Sequence, residues 1–190
     1  MSALPSAELV MLIRWLAPAA VALLCGATLY QIVQPSVPRL LYNPSPSAPI
    51  GWYRLEVGKR IERGDLVAAY APKAAADLAV ERQYLPPDIP LIKTVWAVAG
   101  EQICHVGDEV RVIGRPPLSV LSHDSAGRIL PSRRGCFVLG EDDVFLVSTD
   151  VQTSFDSRYF GPVAVSDLLG PVTYLGRWKG REERRKAGHG

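Results

Sequence analysis

An uncharged apolar run near the N-terminus constrains this chain more than any other feature of its sequence. From Leu16 to Val33 the sequence reads LAPAAVALLCGATLYQIV, with no charged residue and with aromatic residues near both edges. A membrane-spanning helix needs about 20 apolar residues, and Trp and Tyr are enriched at membrane interfaces. The run therefore predicts a single transmembrane helix over 16–33, preceded by a cytoplasmic N-terminus over 1–15.

The competing interpretation of this run is a secretory signal peptide that is removed from the mature protein. Ala27 offers a small residue for cleavage, but its surroundings make a mediocre site, and Leu24 before Cys25 is unlike a lipoprotein signal. We therefore favour an uncleaved anchor. Arg14, just before the run, favours a cytoplasmic N-terminus and hence an exported domain after residue 33.

The remainder of the chain has the composition of a globular domain. Its hydrophobic content of 48% and formal net charge of +2 are unlike those of disordered chains. Residues 72–85 predict the only helix, between Pro72 and Pro86. We expect a mainly β domain over 34–176 with one short helix. The predicted strands are short apolar or alternating runs bounded by turn residues: 52–57, 65–71, 91–99, 109–114, 136–140, 144–148, 160–165 and 170–176.

The C-terminal segment over 177–190 is basic. Six basic and two acidic residues lie between Arg177 and Lys186. Such a tail contacts anionic lipid in some proteins, but a solvated tail is the commoner outcome, and we expect no nucleic-acid partner.

Two of the three cysteines, Cys104 and Cys136, fall in the exported domain, and Cys25 falls in the apolar run. An exported domain with two cysteines favours one disulfide. That bridge would close the base of a polar, irregular excursion over 114–135. We expect neither a metal site nor a cofactor, because the histidines lack ligand spacing to the cysteines.

Prolines fix the backbone just after the apolar run, in the stretch YNPSPSAPIGWYRL over 42–55. Pro44, Pro46 and Pro49 hold the residues around Ser45 and Ser47 in a stiff, extended path. A semi-rigid spacer between anchor and domain is one interpretation. A loop that holds a reactive serine in a fixed geometry is the other.

A serine nucleophile needs a base, and the three histidines of this chain are poorly placed to act as one. Lys93 is the alternative, since it lies in the apolar stretch PLIKTVWAVAG. Burial on a strand would lower its pKa and free the neutral amine to act as a base. An edge-strand lysine that prevents aggregation explains the same residues equally well.

Three stretches in this order resemble the S26 family of membrane-anchored signal peptidases, and within it the conjugative-transfer peptidases of the TraF type. They are SxSxPxGxY from Ser45, IKxVxAxxGE from Ile92, and SFDSRYFGPV over 154–163. The resemblance runs from about Pro44 to Leu175. It implies a signal-peptidase-like β domain on a single anchor.

The resemblance also implies the roles of individual residues. Ser47 would be the nucleophile and Lys93 the general base. The Ser45 hydroxyl would join the Ser47 amide in an oxyanion hole, and Ser154 would orient the lysine amine.

Asp156 and Arg158 would form a supporting ion pair, although the matching aspartate of TraF-type enzymes has been given a more direct catalytic role. The segment STDVQT over 148–153 replaces the GDN box of the general-secretion enzymes. The replacement leaves roles that rest on that box without support.

The function implied is that of a serine endopeptidase in the bacterial inner membrane, with its catalytic domain in the periplasm. Its partners would be membrane lipid and an exported, pilin-like precursor, from which it removes a leader, with cyclisation of the pilin as one outcome. The alternatives are a general type I signal peptidase, a non-catalytic subunit of a secretion channel, and a repressor-type Ser/Lys autoprotease.

Overall fold

One long helix forms the N-terminal part of the chain in the computed structural model, which describes residues 6–33 and 38–177. By its contacts the chain divides into two units, Met1–Val37 and Pro38–Gly190. In the first unit, helix α1 covers Ser6–Val33. Among the described residues, no helix combines the length and the apolar character needed to cross a membrane. The anchor over 16–33 stays a prediction, and most of the basic tail, 178–190, lies outside the described residues.

The second unit is built from short strands with few helices, which confirms the mainly β class. Its helices are α2 (Lys73–Glu81) and α3 (Ser157–Phe160), with a 3-10 turn at Val165–Asp167. Its strands are β1 (Leu40–Asn43), β2 (Gly51–Leu55), β3 (Leu66–Ala69), β4 (Leu91–Ala97), β5 (Gln102–Val106), β6 (Glu109–Val112), β7 (Leu118–Ser119), β8 (Gly135–Val138), β9 (Asp143–Val147), β10 (Val163–Ala164) and β11 (Leu168–Gly176).

Two antiparallel sheets organise these strands. The larger has the order β1-β2-β11-β3-β4-β9-β10, and the smaller has the order β7-β6-β5-β8. Strand β4 pairs with β3 on one side and β9 on the other, so it is an interior strand. The interpretation of Lys93 as an edge-strand charge is therefore wrong.

Strand β4 contributes to each of the three buried apolar clusters of the domain. Trp96 packs in the cluster shared with the smaller sheet, Ile92 in the cluster beneath β2, and Val95 in the cluster beneath β9 and β10. Six of the seven residues of β4 are buried, which leaves only Thr94 half-buried. A lysine in this strand is consequently buried beside apolar side chains.

The structure corrects the sequence prediction in the segment 154–165. A second short helix, α3, forms over Ser157–Phe160, just before most of the strand predicted over 160–165, and only Val163–Ala164 of that strand is extended. The Asp156 side chain caps α3 by accepting from the Arg158 N–H, and Gly161, with φ at 90°, ends it. Phe160 and Gly161 belong to the helix and its C-cap and Val165 begins the 3-10 turn, so the predicted strand keeps only two extended residues.

Three strands of the structure were not predicted, namely β1, β5 and β7. The excursion predicted over 114–135 as irregular contains β7 and an isolated bridge between His123 and Ile129. Short pairings of this kind leave almost no pattern in the sequence, because two residues cannot display an alternation.

Cys104 in β5 lies directly opposite Cys136 in β8, and the two form a disulfide. The bridge joins residues 32 apart in the sequence and closes the excursion that the two strands flank. It connects two strands of the smaller sheet, away from the loop that carries Ser45 and Ser47.

Replacing both Cys104 and Cys136 by Ser should lower the free energy of unfolding by about 3 to 4 kcal/mol, because a loop of this length no longer restricts the unfolded chain. Urea denaturation of the full chain in detergent measures the change. Cys25→Ser provides the matched control and should leave the midpoint unchanged. A double variant as stable as the parent would contradict a stabilising role for the bridge.

Candidate active site

The hairpin formed by β1 and β2 holds the two serines of the proline-rich stretch in its loop. Asn43 at the end of β1 pairs with Gly51 at the start of β2, so residues 44–50 form the loop between them. Gly51 has φ at 149°, and a Cβ there would lie 2.5 Å from the Gly176 carbonyl oxygen. Only glycine therefore fits where this loop returns to the sheet.

Asn43, the single asparagine of the chain, fixes the shape of this loop from inside. Its side chain is buried, and Nδ2 donates to the carbonyls of Ser45, Ala48 and Pro49 at 2.9, 3.1 and 3.3 Å. Its Oδ1 accepts from the Ser45 N–H at 3.1 Å. Since the prolines of the loop have no N–H to donate, the asparagine supplies the donors that the loop lacks.

Ser45 and Ser47 lie against each other in the loop and are both half-buried. The Ser45 hydroxyl donates to Ser47 Oγ at 3.1 Å, and the Ser47 N–H donates to Ser45 Oγ at 3.3 Å. A hydroxyl and a backbone N–H at this spacing beside a serine are the kind of donors that stabilise an oxyanion formed on that serine.

Lys93 is buried at 2% exposure in the middle of β4. Its Nζ donates to Ser154 Oγ at 2.7 Å and to Ser148 Oγ at 3.0 Å. Burial lowers the pKa of Lys93 from its ordinary value of 10.5 to about 8, with a smaller opposing effect of Asp156 and a smaller reinforcing effect of Arg158. Two neutral hydroxyls thus accompany an amine that loses its proton far more readily than an exposed lysine.

These two hydroxyls also orient the lysine amine. Ser154 Oγ donates to Ser148 Oγ at 3.1 Å, so each hydroxyl is held in place by the other. A neutral amine has two N–H donors and one lone pair. When both donors point at the serines, the lone pair is left for a third direction.

Ser47 and Lys93 line the same two cavities of the domain, which we call cavity 1 and cavity 2. Within the described residues no hydrogen bond joins the two side chains, and Ser47 Oγ instead accepts from Ser45. Cavity 1 has a volume of about 240 Å³ and is lined by residues that include Ser45, Ser47, Lys93, Leu121, Phe155 and Tyr159. Cavity 2 has a volume of about 570 Å³ and is lined by residues that include Ser47, Ile50, Lys93, Ser148, Asp150 and Arg177.

Aromatic side chains form one wall of cavity 1. The Phe155 ring lies 5.3 Å from the Tyr84 ring and 5.9 Å from the Tyr159 ring, measured between centroids. The Tyr84 hydroxyl donates to Asp124 at 2.5 Å and so ties the end of α2 to the loop that follows β7. Cavity 1 is therefore suited to apolar groups.

Asp156 is fully buried and has both carboxylate oxygens engaged. Its Oδ1 accepts from Arg158 Nε at 2.8 Å, and its Oδ2 accepts from Arg158 Nη2 at 2.9 Å and from the Ser148 N–H at 3.1 Å. The carboxylate thus positions Ser148, which in turn contacts the lysine amine. A buried, bidentate pair of this kind is a strong geometric constraint.

The guanidinium of Arg158 also donates to backbone carbonyls from separate parts of the chain. Nη1 donates to the Ser119 carbonyl in β7 at 2.8 Å, and Nη2 donates to the Val151 carbonyl at 3.2 Å. The guanidinium therefore links the smaller sheet to the loop that follows β9.

The structure brings most of the sequence-predicted residues together in two groups. Ser45 and Ser47 share the hairpin loop, and Lys93 contacts Ser154. The pair Asp156 and Arg158 lies behind the lysine, while Cys104 and Cys136 lie in the other sheet.

Sequence reasoning missed Asn43 and Ser148. An asparagine that opens a proline-rich turn was an available signal, since Asn side chains commonly bond the backbone of turns. Ser148 gave none, because it lies 55 residues from Lys93 in the sequence.

Comparisons with known proteins give consistent matches. The family model described as signal peptidase, peptidase S26, matches residues 12–176. A conjugal transfer protein TraF of Agrobacterium tumefaciens is 40% identical over 139 residues, which cover 67% of this chain and 76% of the relative. A plasmid transfer protein TraF of Escherichia coli is 32% identical over 146 residues, which cover 72% of this chain and 82% of the relative.

Two further matches are another relative and a solved structure. A probable conjugal transfer protein TraF of Sinorhizobium fredii is 38% identical over 138 residues, which cover 67% of this chain and 72% of the relative. Among solved structures, a signal peptidase I from Enterococcus faecalis matches with a TM-score of 0.37 at 20% identity, over 60% of this chain and 98% of that chain.

Replacing Lys93 by Met should raise the free energy of unfolding at pH 7 by about 2 to 3 kcal/mol, because a lowered lysine pKa means that burial opposes the charged form. Below pH 8 the folded and unfolded states of the parent both bind the lysine proton, so the destabilisation caused by burying the charged amine does not change with pH. Between pH 8 and 10.5 the unfolded chain binds more protons than the folded one, so parental stability should rise with pH. Urea denaturation at pH values from 7 to 10 measures how the difference in free energy of unfolding between Lys93→Met and the parent becomes smaller.

The exposed Lys59 provides the control for this stability measurement. Lys59→Met should change the free energy of unfolding by less than the buried substitution and with no comparable dependence on pH. A Lys93→Met variant less stable than the parent at pH 7 would contradict the desolvation argument.

Proposed function

The chain belongs to the signal peptidase S26 family, and we propose that it is a serine endopeptidase with Ser47 as nucleophile and Lys93 as general base. The observation that carries this proposal is the buried Lys93 amine, whose pKa is lowered to about 8 and which lines the same cavities as Ser47. A lysine is a base only when neutral, and with a pKa near 8 about one molecule in ten carries it neutral at pH 7.

In the first step, Ser47 Oγ attacks the scissile carbonyl carbon while the neutral Lys93 amine takes its proton. The oxyanion that forms accepts from the Ser47 N–H and from the Ser45 hydroxyl, which turns from Ser47 Oγ towards it. Lys93 then gives the proton to the departing amine, and the acyl group stays on Ser47.

Ser148 and Ser154 support this chemistry without touching the reacting bond. Their contacts with the amine direct its lone pair, and Ser148 is itself held by Asp156. Because the Asp156 carboxylate is already engaged on both oxygens, we assign it a positioning role rather than a direct part in proton transfer.

We propose an exported precursor protein as the substrate, and a conjugative pilin subunit in particular. The support is the likeness to relatives named conjugal transfer proteins and plasmid transfer proteins. The apolar wall of cavity 1 suits the end of an apolar leader. When a leader is removed, the acyl group on Ser47 is the leader, and water releases it. A cyclic product forms where the cleaved bond lies on the C-terminal side of the pilin, so that the acyl group is the pilin and its own N-terminal amine resolves it.

We further propose that the enzyme is anchored in the bacterial inner membrane by residues 16–33, with its domain in the periplasm. The uncharged sequence of that run supports an anchor. The disulfide between Cys104 and Cys136 supports an oxidising compartment for the domain.

Ser47→Ala, Lys93→Ala and Lys93→Arg should each abolish cleavage of a pilin-type precursor in co-expression, because the first removes the nucleophile and the others leave no neutral amine. Activity of the parent should rise about tenfold per pH unit below pH 8, since only the neutral lysine acts as base. Intact mass of the product separates hydrolysis from cyclisation by the mass of one water.

Two exposed positions, Ser132 and Lys59, provide matched controls. Ser132→Ala and Lys59→Arg should process the precursor at the parental rate. Processing by Lys93→Arg at that rate would refute the general-base assignment and favour the non-catalytic alternative.

Asn43→Ala should lower kcat by about 10²-fold with little change in KM, because a loop without its internal donors no longer holds Ser47 and its amide in one geometry. Asn43→Asp keeps the acceptor for the Ser45 N–H but places a carboxyl oxygen against three carbonyl oxygens, so it should lower kcat at least as much. Steady-state kinetics well below the unfolding midpoint measure both. A loss of activity that only follows the unfolded fraction would contradict the positioning role.

A further inference from the structure

We propose that cavity 2 binds the amine side of the cleaved bond, with Asp150 as the counter-charge for a peptide α-ammonium group. The inference rests on the proposed function, since it assigns a binding site to the reaction of Ser47 and Lys93. The ligand class is a peptide segment with a free α-amino group.

The position of cavity 2 relative to the nucleophile supports this assignment. Ser47 and Lys93 line both cavities, but Ser45 and the aromatic wall belong to cavity 1, whereas Ser148 and Asp150 belong to cavity 2. A chain bound across Ser47 has an acyl half and an amine half, and each needs its own space. The aromatic wall of cavity 1 suits the acyl half, which leaves the larger cavity 2 for the amine half.

Asp150 gives cavity 2 a charge suited to an ammonium group. Among the described residues that line this cavity, it is the only acid. Its side chain is exposed, and its one hydrogen bond within the described residues comes from Thr149 Oγ1 at 3.4 Å. No salt bridge within the described residues joins it to Arg177 on the same cavity. The carboxylate is therefore available to a ligand.

Asp150 and the proposed proton acceptor, Lys93, line the same cavity. Asp150 follows Ser148 by two residues, and the Ser148 hydroxyl contacts Lys93 Nζ at 3.0 Å. An α-ammonium group held by Asp150 would therefore lie in the cavity that Lys93 also lines. The amine released in acylation would leave through cavity 2 as well, because acylation and its reversal follow the same path.

The resolving step that this site favours is aminolysis of the acyl-enzyme. The bound ammonium loses one proton to solvent, and its nitrogen lone pair forms a C–N bond with the acyl carbon while neutral Lys93 takes a second proton from that nitrogen. The bond from that carbon to Ser47 Oγ breaks, and the electron pair returns to Oγ. Lys93 passes its proton to Oγ, so the products are an amide and the free enzyme.

The experiment adds glycyl-glycinamide to the full-length enzyme while it cleaves a precursor, and mass spectrometry measures the ratio of leader dipeptide amide to leader acid. In the parent this ratio should saturate with the concentration of added amine, as for a bound acceptor. Asp150→Asn should raise the half-saturating concentration about fivefold, as expected for loss of one exposed charge pair. N-acetyl-glycyl-glycinamide should neither be incorporated nor compete.

Glu141→Gln is the matched control, since Glu141 is an exposed acid that precedes β9 while Asp150 follows it. This variant should retain the parental half-saturating concentration. A ratio that rises linearly with amine and is equal in the parent and Asp150→Asn would overturn the site. Absence of cleavage by the parent would instead refute the proposed function.

Discussion

The burial of one lysine amine is the constraint on which the rest of this domain depends. Lys93 lies at 2% exposure in an interior strand whose neighbours belong to three apolar clusters. Such a site opposes the charged amine and lowers its pKa to about 8. Two serine hydroxyls accept from the amine and so offset part of this cost.

The buried pair of Asp156 and Arg158 keeps that lysine usable as a base. A lone carboxylate behind the amine would hold the amine protonated, since Asp156 raises the pKa of Lys93. Arg158 lowers the same pKa and binds the carboxylate in a bidentate contact, so desolvation remains the dominant effect. The guanidinium also fixes the backbone at Val151 and Ser119, which makes the pair a structural link between the two sheets. Electrostatic balance and tertiary structure therefore depend on the same two residues.

How far the site was predictable depended on whether its contacts are local or set by sheet register. The apolar flanks of Lys93 predicted a strand but left open whether it was buried or at an edge, and the resemblance to S26 peptidases suggested Ser154 as the partner of the lysine. Ser148 reaches the amine only because β4 and β9 pair with Thr94 opposite Val147, a register that no local pattern reveals. The helical turn α3 was missed because its four residues are too few to display a helical period, and only the capping contact of Asp156 marks where it begins. Tertiary pairing and capping, rather than composition, decided these cases.

The two cavities beside Ser47 differ in their side chains, so in the proposed reaction one suits the acyl group and the other suits the amine. Cavity 1 combines the Ser45 hydroxyl with an aromatic wall, whereas cavity 2 combines Ser148 with the Asp150 carboxylate, which forms no salt bridge within residues 6–33 and 38–177. An apolar acyl group and a charged amine would therefore be held on opposite sides of the nucleophile, and Lys93 lines both cavities. On this assignment, the choice between water and an amine is decided by occupancy of cavity 2, because the oxyanion donors and the base serve both reactions equally. Product type would then be a property of the binding site and not of the catalytic pair.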